Sequence, residues 1–174
     1  MAIIDVTIRD ARPDEAVAVA EVIDAAYSMY DEQQRALGAE RWTLYREYRE
    51  SMLNVAERME LADVLVAESG GRLVGTVTFY RPGEAYEEGW DDTVAGVRLL
   101  AVHPGARGAG IGRRLTQECI DRALMFGARA LGLHTTEFMA VARELYVRMG
   151  FIRTPEFDLV TDDGLVIEAY RLEL

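Results

Sequence analysis

The stretch Val97-Arg-Leu-Leu-Ala-Val-His-Pro-Gly-Ala-Arg-Gly-Ala-Gly-Ile-Gly-Arg-Arg-Leu115 decides the fold of this chain. The apolar run at its start predicts a strand, and the amphipathic part from Ile111 predicts a helix. Several glycines lie at the junction. Glycine allows backbone N–H groups to approach a phosphate closely, and the partial positive end of the helix points to the same place. The stretch therefore predicts an anion-binding loop between a strand and a helix.

Three kinds of glycine-rich phosphate loop differ in their spacing. A nucleotide P-loop needs Lys and Ser or Thr where this chain has Ile111 and Gly112. The dinucleotide fingerprint needs an acidic residue at the end of the next strand, which here ends at His134. The third pattern, Arg-x-x-Gly-x-Gly, is met by Arg107, Gly110 and Gly112. The spacing favours this third pattern.

The third pattern resembles the pyrophosphate loop of the GNAT superfamily, the acyl-CoA-dependent N-acyltransferases. Further along, Ala142-Arg-Glu-Leu-Tyr146-Val-Arg-Met-Gly150-Phe151 resembles the Ala-x-x-Leu-Tyr-x-x-x-Gly-Phe segment of the same family. The loop alone could also be a glycine-rich turn without a ligand. Two motifs at a fitting separation favour the family.

Composition indicates one soluble globular domain. The chain has 174 residues, 50% of them hydrophobic and 28% charged, and contains neither a membrane-length apolar run nor a signal-peptide pattern. We therefore expect a cytoplasmic protein. The net charge of −11 argues against nucleic acid and anionic membranes as partners and suits a small cationic substrate. The single cysteine, Cys119, lies at helical spacing and is expected in the core.

The hydrophobic periodicity predicts the element order β-α-α-β-β-β-α-β-α-β-β. This order resembles the GNAT layout over nearly the whole chain. The resemblance implies an α/β fold with a mixed central sheet of about seven strands flanked by four helices, and a single N-acetyltransferase domain over residues 1–174. The predicted strands are Ile3–Ile8, Val64–Glu68, Leu73–Arg81, Val94–Val102, Ala130–Thr135, Phe151–Arg153 and Leu165–Leu172, and the predicted helices are Pro13–Met29, Glu40–Glu60, Ile111–Phe126 and Met139–Met149.

The resemblance also implies acetyl-CoA as co-substrate, with no metal. In the family, a strand equivalent to the one that carries Leu100, Ala101 and Val102 offers its backbone to the pantetheine arm, in the manner of an added β-strand. The pyrophosphate would be held by the loop residues Arg107, Gly108, Ala109, Gly110, Ile111 and Gly112. Arg113 and Arg114 could serve the 3′-phosphate or could equally form a solvated face.

Tyr146 matches the tyrosine that acts as general acid in the family, and the leaving thiolate needs such a proton donor. The base is left open, because Gly96 stands where related sequences often have Glu. The alternatives are Tyr80, His134, the acidic-loop residues Glu84, Glu87 and Glu88, and a water relay. His134 could equally be a structural histidine that is hydrogen-bonded inside the sheet. A second departure is Met139, which replaces an Asn that contacts the cofactor.

The expected activity is direct, sequential transfer of an acetyl group from acetyl-CoA to a primary amine of a small molecule or peptide. The alternative is an acyl-CoA-binding module without turnover, which would act as a sensor or partner domain. Tyr146 disfavours this module, whereas Gly96 and Met139 leave it open. The sequence does not determine the oligomeric state, and the resemblance leaves a homodimer open.

Overall fold

The structure is a computed structural model and describes residues 5–84 and 89–174. Over these residues the chain forms eight strands and six α-helices. In chain order they are β1 (Thr7–Asp10), α1 (Ala16–Tyr27), α2 (Asp31–Ala36), α3 (Ala39–Leu53), α4 (Val55–Leu61), β2 (Asp63–Ser69), β3 (Arg72–Tyr80), β4 (Val94–Val102), α5 (Ile111–Met125), β5 (Ala130–Thr135), α6 (Ala140–Arg148), β6 (Ile152–Arg153), β7 (Leu159–Val160) and β8 (Val166–Glu173). Within the described ranges, no helix is long and apolar enough to span a membrane.

The chain divides into two compact units. The first contains the residues up to Thr78 together with Leu99–Leu115, and the second contains Phe79–Arg98 and Thr116–Leu174. In the first unit the strand order is β1-β2-β3 followed by the last residues of β4, residues 99–102, and β1 pairs antiparallel with β2 from Thr7↔Glu68 to Asp10↔Leu65. Its buried core is formed mainly by aliphatic side chains of α1, α3, α4 and β2, including Val19, Ile23, Met52, Val55 and Leu65.

The second unit contains the parallel part of the sheet. Strands β4 and β5 pair in parallel over Val94–Val97 and Ala130–Leu133, and β8 pairs antiparallel with all of β5. Both β6 and β7 pair antiparallel with β8. The expected α/β class with a mixed sheet is confirmed, with eight strands and six α-helices in the described residues where about seven strands and four helices were expected.

The predicted helix Glu40–Glu60 is wrong as a single element. It is interrupted at Asn54, whose backbone has φ −77° and ψ 65°, so that α3 ends and α4 begins there. The guanidinium of Arg58 donates to the carbonyl of Met52 and replaces a hydrogen bond that a continuous helix would have supplied. Helix α2 was missed because its polar sequence has no apolar stripe. A buried Gln34, which accepts a hydrogen bond from Arg41 Nε at 2.9 Å, holds this helix.

Two predictions about strands also need correction. The first strand was predicted over Ile3–Ile8, whereas β1 covers Thr7–Asp10; Ile3 and Ile4 lie outside the described residues. Strand β7 was not predicted, and the C-terminal part of the chain therefore has three strands rather than two. With only two residues, paired as Leu159↔Ile167 and Val160↔Val166, β7 is too short to show an alternating pattern.

Glu15 supports the start of α1, and its loss should reduce stability in a pH-dependent way. Its carboxylate accepts from both terminal nitrogens of Arg9 at 2.8 and 2.7 Å and from the Arg12 backbone N–H at 2.7 Å. These bonds, chiefly those from Arg9, lower the pKa of Glu15 from 4.5 to about 2. We expect Glu15→Gln to reduce the free energy of unfolding at neutral pH by about 2 kcal/mol, measured by urea denaturation.

The direction of this pH dependence follows from the linkage between protonation and folding. Because the folded-state pKa is lowered, the stabilisation is complete above pH 4.5 and is lost as the pH falls toward about 2. The native protein and Glu15→Gln should therefore approach equal stability at the acid end of this range. A difference of unchanged size at both ends would show that Glu15 acts through packing alone.

Cys119 is fully buried in α5, as expected from the sequence. Burial strongly raises the pKa of its thiol, so the reactive thiolate is scarce at neutral pH. We expect the folded protein to show no reaction with a thiol-selective reagent over minutes, and one equivalent to react in denaturant. Rapid labelling of the folded protein would mean that α5 opens readily.

Candidate functional site

The loop between β4 and α5 has a fixed backbone at its start. The His103 N–H donates to Val74 O at 2.9 Å, which continues the pairing with β3 beyond the end of β4. The exposed His103 side chain then accepts from the Gly105 N–H through Nδ1 at 3.2 Å and caps a short turn over Pro104–Ala106. This local structure defines where the glycine-rich segment begins.

Gly108 and Gly110 have a conformation that favours glycine. Their φ angles are +81° and +75°, and a Cβ at either position would have no other atom within 4 Å. The backbone around Ala109 therefore borders open space. Helix α5 begins here, since the Arg114 N–H donates to Gly110 O at 3.1 Å. The N–H groups of Ile111 and Gly112 lie in the first turn, where a helix favours an anion.

Gly75 on β3 allows α5 to begin close to the sheet, and the sequence analysis did not identify it. A Cβ at this position would lie 2.9 Å from Ile111 Cγ2, 3.1 Å from Leu115 Cδ1 and 3.3 Å from Ala101 O. The first turn of α5 thus packs directly on the backbone of β3. A glycine inside an otherwise regular strand is the signal that could have indicated this close approach.

The end of β4 directs its backbone groups in two directions. Ala101 O lies on the side of Gly75, and the His103 N–H reaches Val74, so both point toward β3. Backbone groups alternate in direction along a strand, and those of Leu100 and Val102 therefore point away from β3. Just before them, Leu99 has φ +55°, a backbone conformation that is irregular for a strand. Of the three predicted pantetheine contacts, Leu100 and Val102 are the two whose backbone points away from β3.

The Arg107 side chain contacts protein groups of the first unit. Its guanidinium donates to Ala26 O at 3.0 Å, to Met29 Sδ at 3.1 Å and, through Nε, to Val102 O at 3.4 Å. Arg114 similarly donates to Val6 O at 2.6 Å. In this arrangement the guanidinium contacts protein groups, and the part of Arg107 that can face an anion is the peptide group between Arg107 and Gly108.

Tyr146 lies in the second unit, near the end of α6. Tyr146 is 5% exposed, and its ring lies 5.6 Å from the ring of Phe151, measured between centroids. The chain reverses at Gly150, with φ +95°, and the Phe151 N–H then donates to Tyr146 O at 3.0 Å. This geometry explains the spacing in the second motif: the glycine allows the turn that places the phenylalanine against the tyrosine.

One contact joins α6 to β8, and a second, within β8, holds the carboxylate that makes it. Arg143, one helical turn before Tyr146, donates to Glu168 Oε2 at 3.2 Å. The Tyr170 hydroxyl donates to the same oxygen at 3.3 Å. The carboxylate of Glu168 therefore connects the helix that carries Tyr146 to the sheet of the second unit.

His134 makes a hydrogen bond of the kind that its structural alternative requires. Its Nε2 lies 2.9 Å from Phe157 O, and since a carbonyl only accepts, Nε2 carries the hydrogen in this arrangement. Its ring lies 5.1 Å from that of Trp90. Trp90 in turn packs on Gly132, where a Cβ would lie 2.4 Å from Trp90 Cε2.

The other candidate bases are distributed as follows. Glu84 folds back on its own turn and accepts from the Arg81 N–H at 3.2 Å. Tyr80 is half-buried against the cluster around Trp90. Glu87 and Glu88 lie outside the described residues. None of these observations assigns a base. Among the described residues there is also no group of three or more His, Cys, Asp or Glu side chains arranged to hold a metal.

Comparison with known sequences identifies related acetyltransferases. The profile of the Acetyltransferase (GNAT) family matches residues 23–151, which include both motifs and parts of both units. A mycothiol acetyltransferase from Cellulomonas flavigena is 37% identical over 95 residues, or 53% of this chain. The match covers 27% of that enzyme, so this chain corresponds to only about a quarter of its length.

Solved structures show the same fold over nearly the whole chain. A GNAT acetyltransferase from Staphylococcus aureus superimposes with a TM-score of 0.71 at 17% identity, and the match covers 98% of this chain and 99% of the other. The structure of yncA from Salmonella typhimurium with its cofactor acetyl-CoA gives a TM-score of 0.64 at 22% identity, covering 98% and 94% of the two chains. At these identities the likeness concerns the fold alone.

Proposed function

This chain belongs to the GNAT acetyltransferase family, and from that premise we propose that it transfers the acetyl group of acetyl-CoA directly to a primary amine of a small molecule or peptide. The observation that carries the proposal is the loop at the start of α5. Gly108 and Gly110 hold backbone there in a left-handed conformation beside open space, at the positive end of a 15-residue helix. Relatives of the same fold with bound acetyl-CoA support this choice of co-substrate.

The residues of the first unit fit a diphosphate. The negatively charged oxygens would be bound by the N–H groups from Gly108 to Gly112, with no side chain required to make the contact. Leu100 and Val102 would bind the pantetheine arm through backbone groups that point away from β3. Gly75 supports both the diphosphate site and the pantetheine site, because it lets Ile111 and the end of β4 pack close together.

Acetyl-CoA supplies an activated acyl group as a thioester. During transfer, the amine nitrogen forms a bond to the carbonyl carbon, the carbon–sulfur bond breaks, the amine loses a proton, and the sulfur gains one. Tyr146 is the residue that we assign to the last step, with its phenol donating the proton. A free phenol has a pKa of about 10, above the roughly 8.5 of a thiol, so donation requires either concerted departure of the sulfur or a lowered phenol pKa.

The class of amine determines how strongly a base must assist deprotonation of the nucleophile. An alkyl ammonium group with a pKa of about 10.4 costs roughly 4.6 kcal/mol to deprotonate at pH 7, whereas an α-amine near 7.8 costs only about 1. The structure assigns no base, and a water relay suffices more easily for the second class. We therefore infer that α-amines of amino acids or peptides react faster than alkyl amines at neutral pH.

The experiment is a thiol-release assay with acetyl-CoA and a panel of α-amines and alkyl amines. Acetylated product is identified by mass spectrometry. Because Cys119 is buried, the folded protein should add no background to the thiol reagent. Acceptor-dependent release with matching product supports the proposal. Cofactor binding without acceleration by any amine would favour the alternative, a non-catalytic acyl-CoA-binding sensor or partner module.

The remaining parts of the proposal concern the chain as a whole. Residues 1–174 act as a single N-acetyltransferase domain in the cytoplasm, with acetyl-CoA as the co-substrate and no metal in the reaction. The match of the family profile to residues of both units supports the assignment of one domain. The negative net charge of −11 supports a small, cationic acceptor rather than nucleic acid or an anionic membrane.

A further inference from the structure

The side chain of Arg107 connects the phosphate loop to the end of α1. Two of its three bonds reach a segment about eighty residues earlier in the chain, at Ala26 O and Met29 Sδ. The third, to Val102 O, holds the guanidinium against its own loop. Burial raises the pKa of the nearby Tyr30 phenol, and the positive charge of Arg107 opposes this rise. One cation thus lies between the glycine-rich loop and residues 26–30.

The end of α1 and the turn after it are contacted by side chains from distant parts of the sequence. After α1 ends at Tyr27, Ser28–Tyr30 forms a single 3-10 turn in which no residue is buried, and Met29 is 55% exposed. The final carbonyls of α1 are capped by distant side chains: Ala26 O by Arg107, and Tyr27 O by the Tyr45 hydroxyl at 3.2 Å. A cation at the C-terminus of a helix is also favoured by the helix dipole. Local contacts also hold the turn, since Ser28 Oγ donates to Ala25 O at 3.0 Å and the ring centroids of Tyr27 and Tyr30 lie 6.1 Å apart, but Arg107 is its contact with the glycine-rich loop.

We propose that Arg107 is a positioning residue whose side chain transmits occupancy of the phosphate loop to Ser28–Tyr30, while its backbone, not its charge, contributes to the anion site. A ligand that orders the loop also orders the backbone from which the Arg107 side chain extends. Forming the bonds to Ala26 and Met29 then costs less conformational entropy, and the bonds are populated for a larger fraction of the time. The inference rests on the cofactor part of the proposed function, namely binding of CoA at this loop.

The test is hydrogen exchange of the 174-residue protein, with and without CoA, followed by mass spectrometry. In the native protein we expect CoA to slow exchange in peptides covering Ser28–Tyr30 by at least about threefold. In Arg107→Ala this slowing should disappear, although CoA still protects the start of α5. Arg107→Lys, which can still donate to Ala26 O, should restore part of it.

Arg114→Ala is the matched control. It removes the same kind of side chain, next to the same loop and also bonded to a backbone carbonyl, but that carbonyl belongs to Val6 rather than to the end of α1. At CoA concentrations that saturate each variant, we expect CoA to protect Ser28–Tyr30 in Arg114→Ala as it does in the native protein. Loss of this protection in both variants would overturn the inference, because it would show a general effect of charge or stability.

Salt dependence separates positioning from direct charge contact. We expect Arg107→Ala to raise the Kd for CoA by about five- to tenfold, through a less ordered loop. If the guanidinium does not contact phosphate, the ratio of the variant Kd to the native Kd should stay constant as the salt concentration increases. A direct ion pair would be screened by salt, and the ratio would shrink. A shrinking ratio would contradict the inference.

The outcomes for the two proposals are distinct. Native protein that does not bind CoA would contradict both. Binding that leaves exchange at Ser28–Tyr30 unchanged would overturn only the role of Arg107. Protection of that segment in a protein that acetylates no amine would overturn only the proposed activity.

Discussion

Replacing Tyr146 with Phe is expected to lower kcat at least about tenfold, with little change in the affinity for acetyl-CoA. A general acid usually contributes a factor of 10² to 10⁴, and the substitution removes the only atom that can donate a proton. The ring itself should remain in place, because its packing against Phe151 does not involve the hydroxyl. Steady-state kinetics with the best acceptor from the amine panel, together with calorimetric titration of acetyl-CoA, measure the two quantities separately.

Tyr170→Phe serves as the control for this substitution. Tyr170 is a second buried tyrosine of the same unit, and its hydroxyl donates to Glu168, which Arg143 continues to contact in the variant. Its kcat should stay within about threefold of the native value, as expected for loss of one long, partly redundant hydrogen bond. Equal losses in both variants, or unchanged turnover in Tyr146→Phe, would remove Tyr146 from the mechanism.

Replacing Gly110 with Ala is expected to weaken acetyl-CoA binding by at least tenfold. With φ +75°, the position lies in the left-handed region, where a Cβ costs about 1–2 kcal/mol. The methyl group would also project into the open space beside the loop, where the diphosphate is expected. Either relaxation of the backbone or obstruction of the anion should raise the Kd, which calorimetry measures directly.

Gly71→Ala isolates the cost of the backbone conformation. Gly71 lies in the turn between β2 and β3, has the same φ of +75°, and likewise has no atom within 4 Å of a Cβ. Both variants should lose similar stability in urea denaturation, but Gly71→Ala should bind acetyl-CoA like the native protein. If the two variants lost affinity equally, the effect at Gly110 would reflect destabilisation rather than a binding site.

The sequence predicted the centre of the chain well. Strands Val94–Val102 and Ala130–Thr135 have the predicted bounds, and α5 begins at the predicted Ile111. These elements are signalled locally: buried parallel strands form apolar runs, and the glycines mark where the helix begins. The same local signals indicated that Cys119 would be buried, which the structure confirms.

Features that depend on distant contacts were not predictable from the sequence. The break at Asn54 requires Arg58 to bind Met52 O, and α2 requires the contact between Arg41 and the buried Gln34. The sequence pattern assigned Arg107 to the pyrophosphate, but it could not show that its guanidinium reaches Ala26. Spacing within a motif specifies the backbone of a loop, whereas the partner of a long side chain depends on the tertiary structure.

The same distinction applies to the chemistry of the site. The second motif indicated Tyr146 together with Gly150 and Phe151, because the two contacts between Tyr146 and Phe151 join residues that are close in the chain. His134 remained ambiguous in the sequence, because its bond to Phe157 O joins residues that are far apart in the chain. No local sequence pattern indicates a base for the amine, because Gly96 occupies the position where related sequences often have Glu.

The proposed activity depends on binding of the diphosphate of coenzyme A by the backbone of the loop from Gly108 to Gly112. Isothermal titration of the purified protein with acetyl-CoA measures this binding. We expect one saturable site per chain, with a Kd in the micromolar range that is common for such ligands. The absence of measurable association at millimolar acetyl-CoA would contradict this binding, and with it the proposed activity.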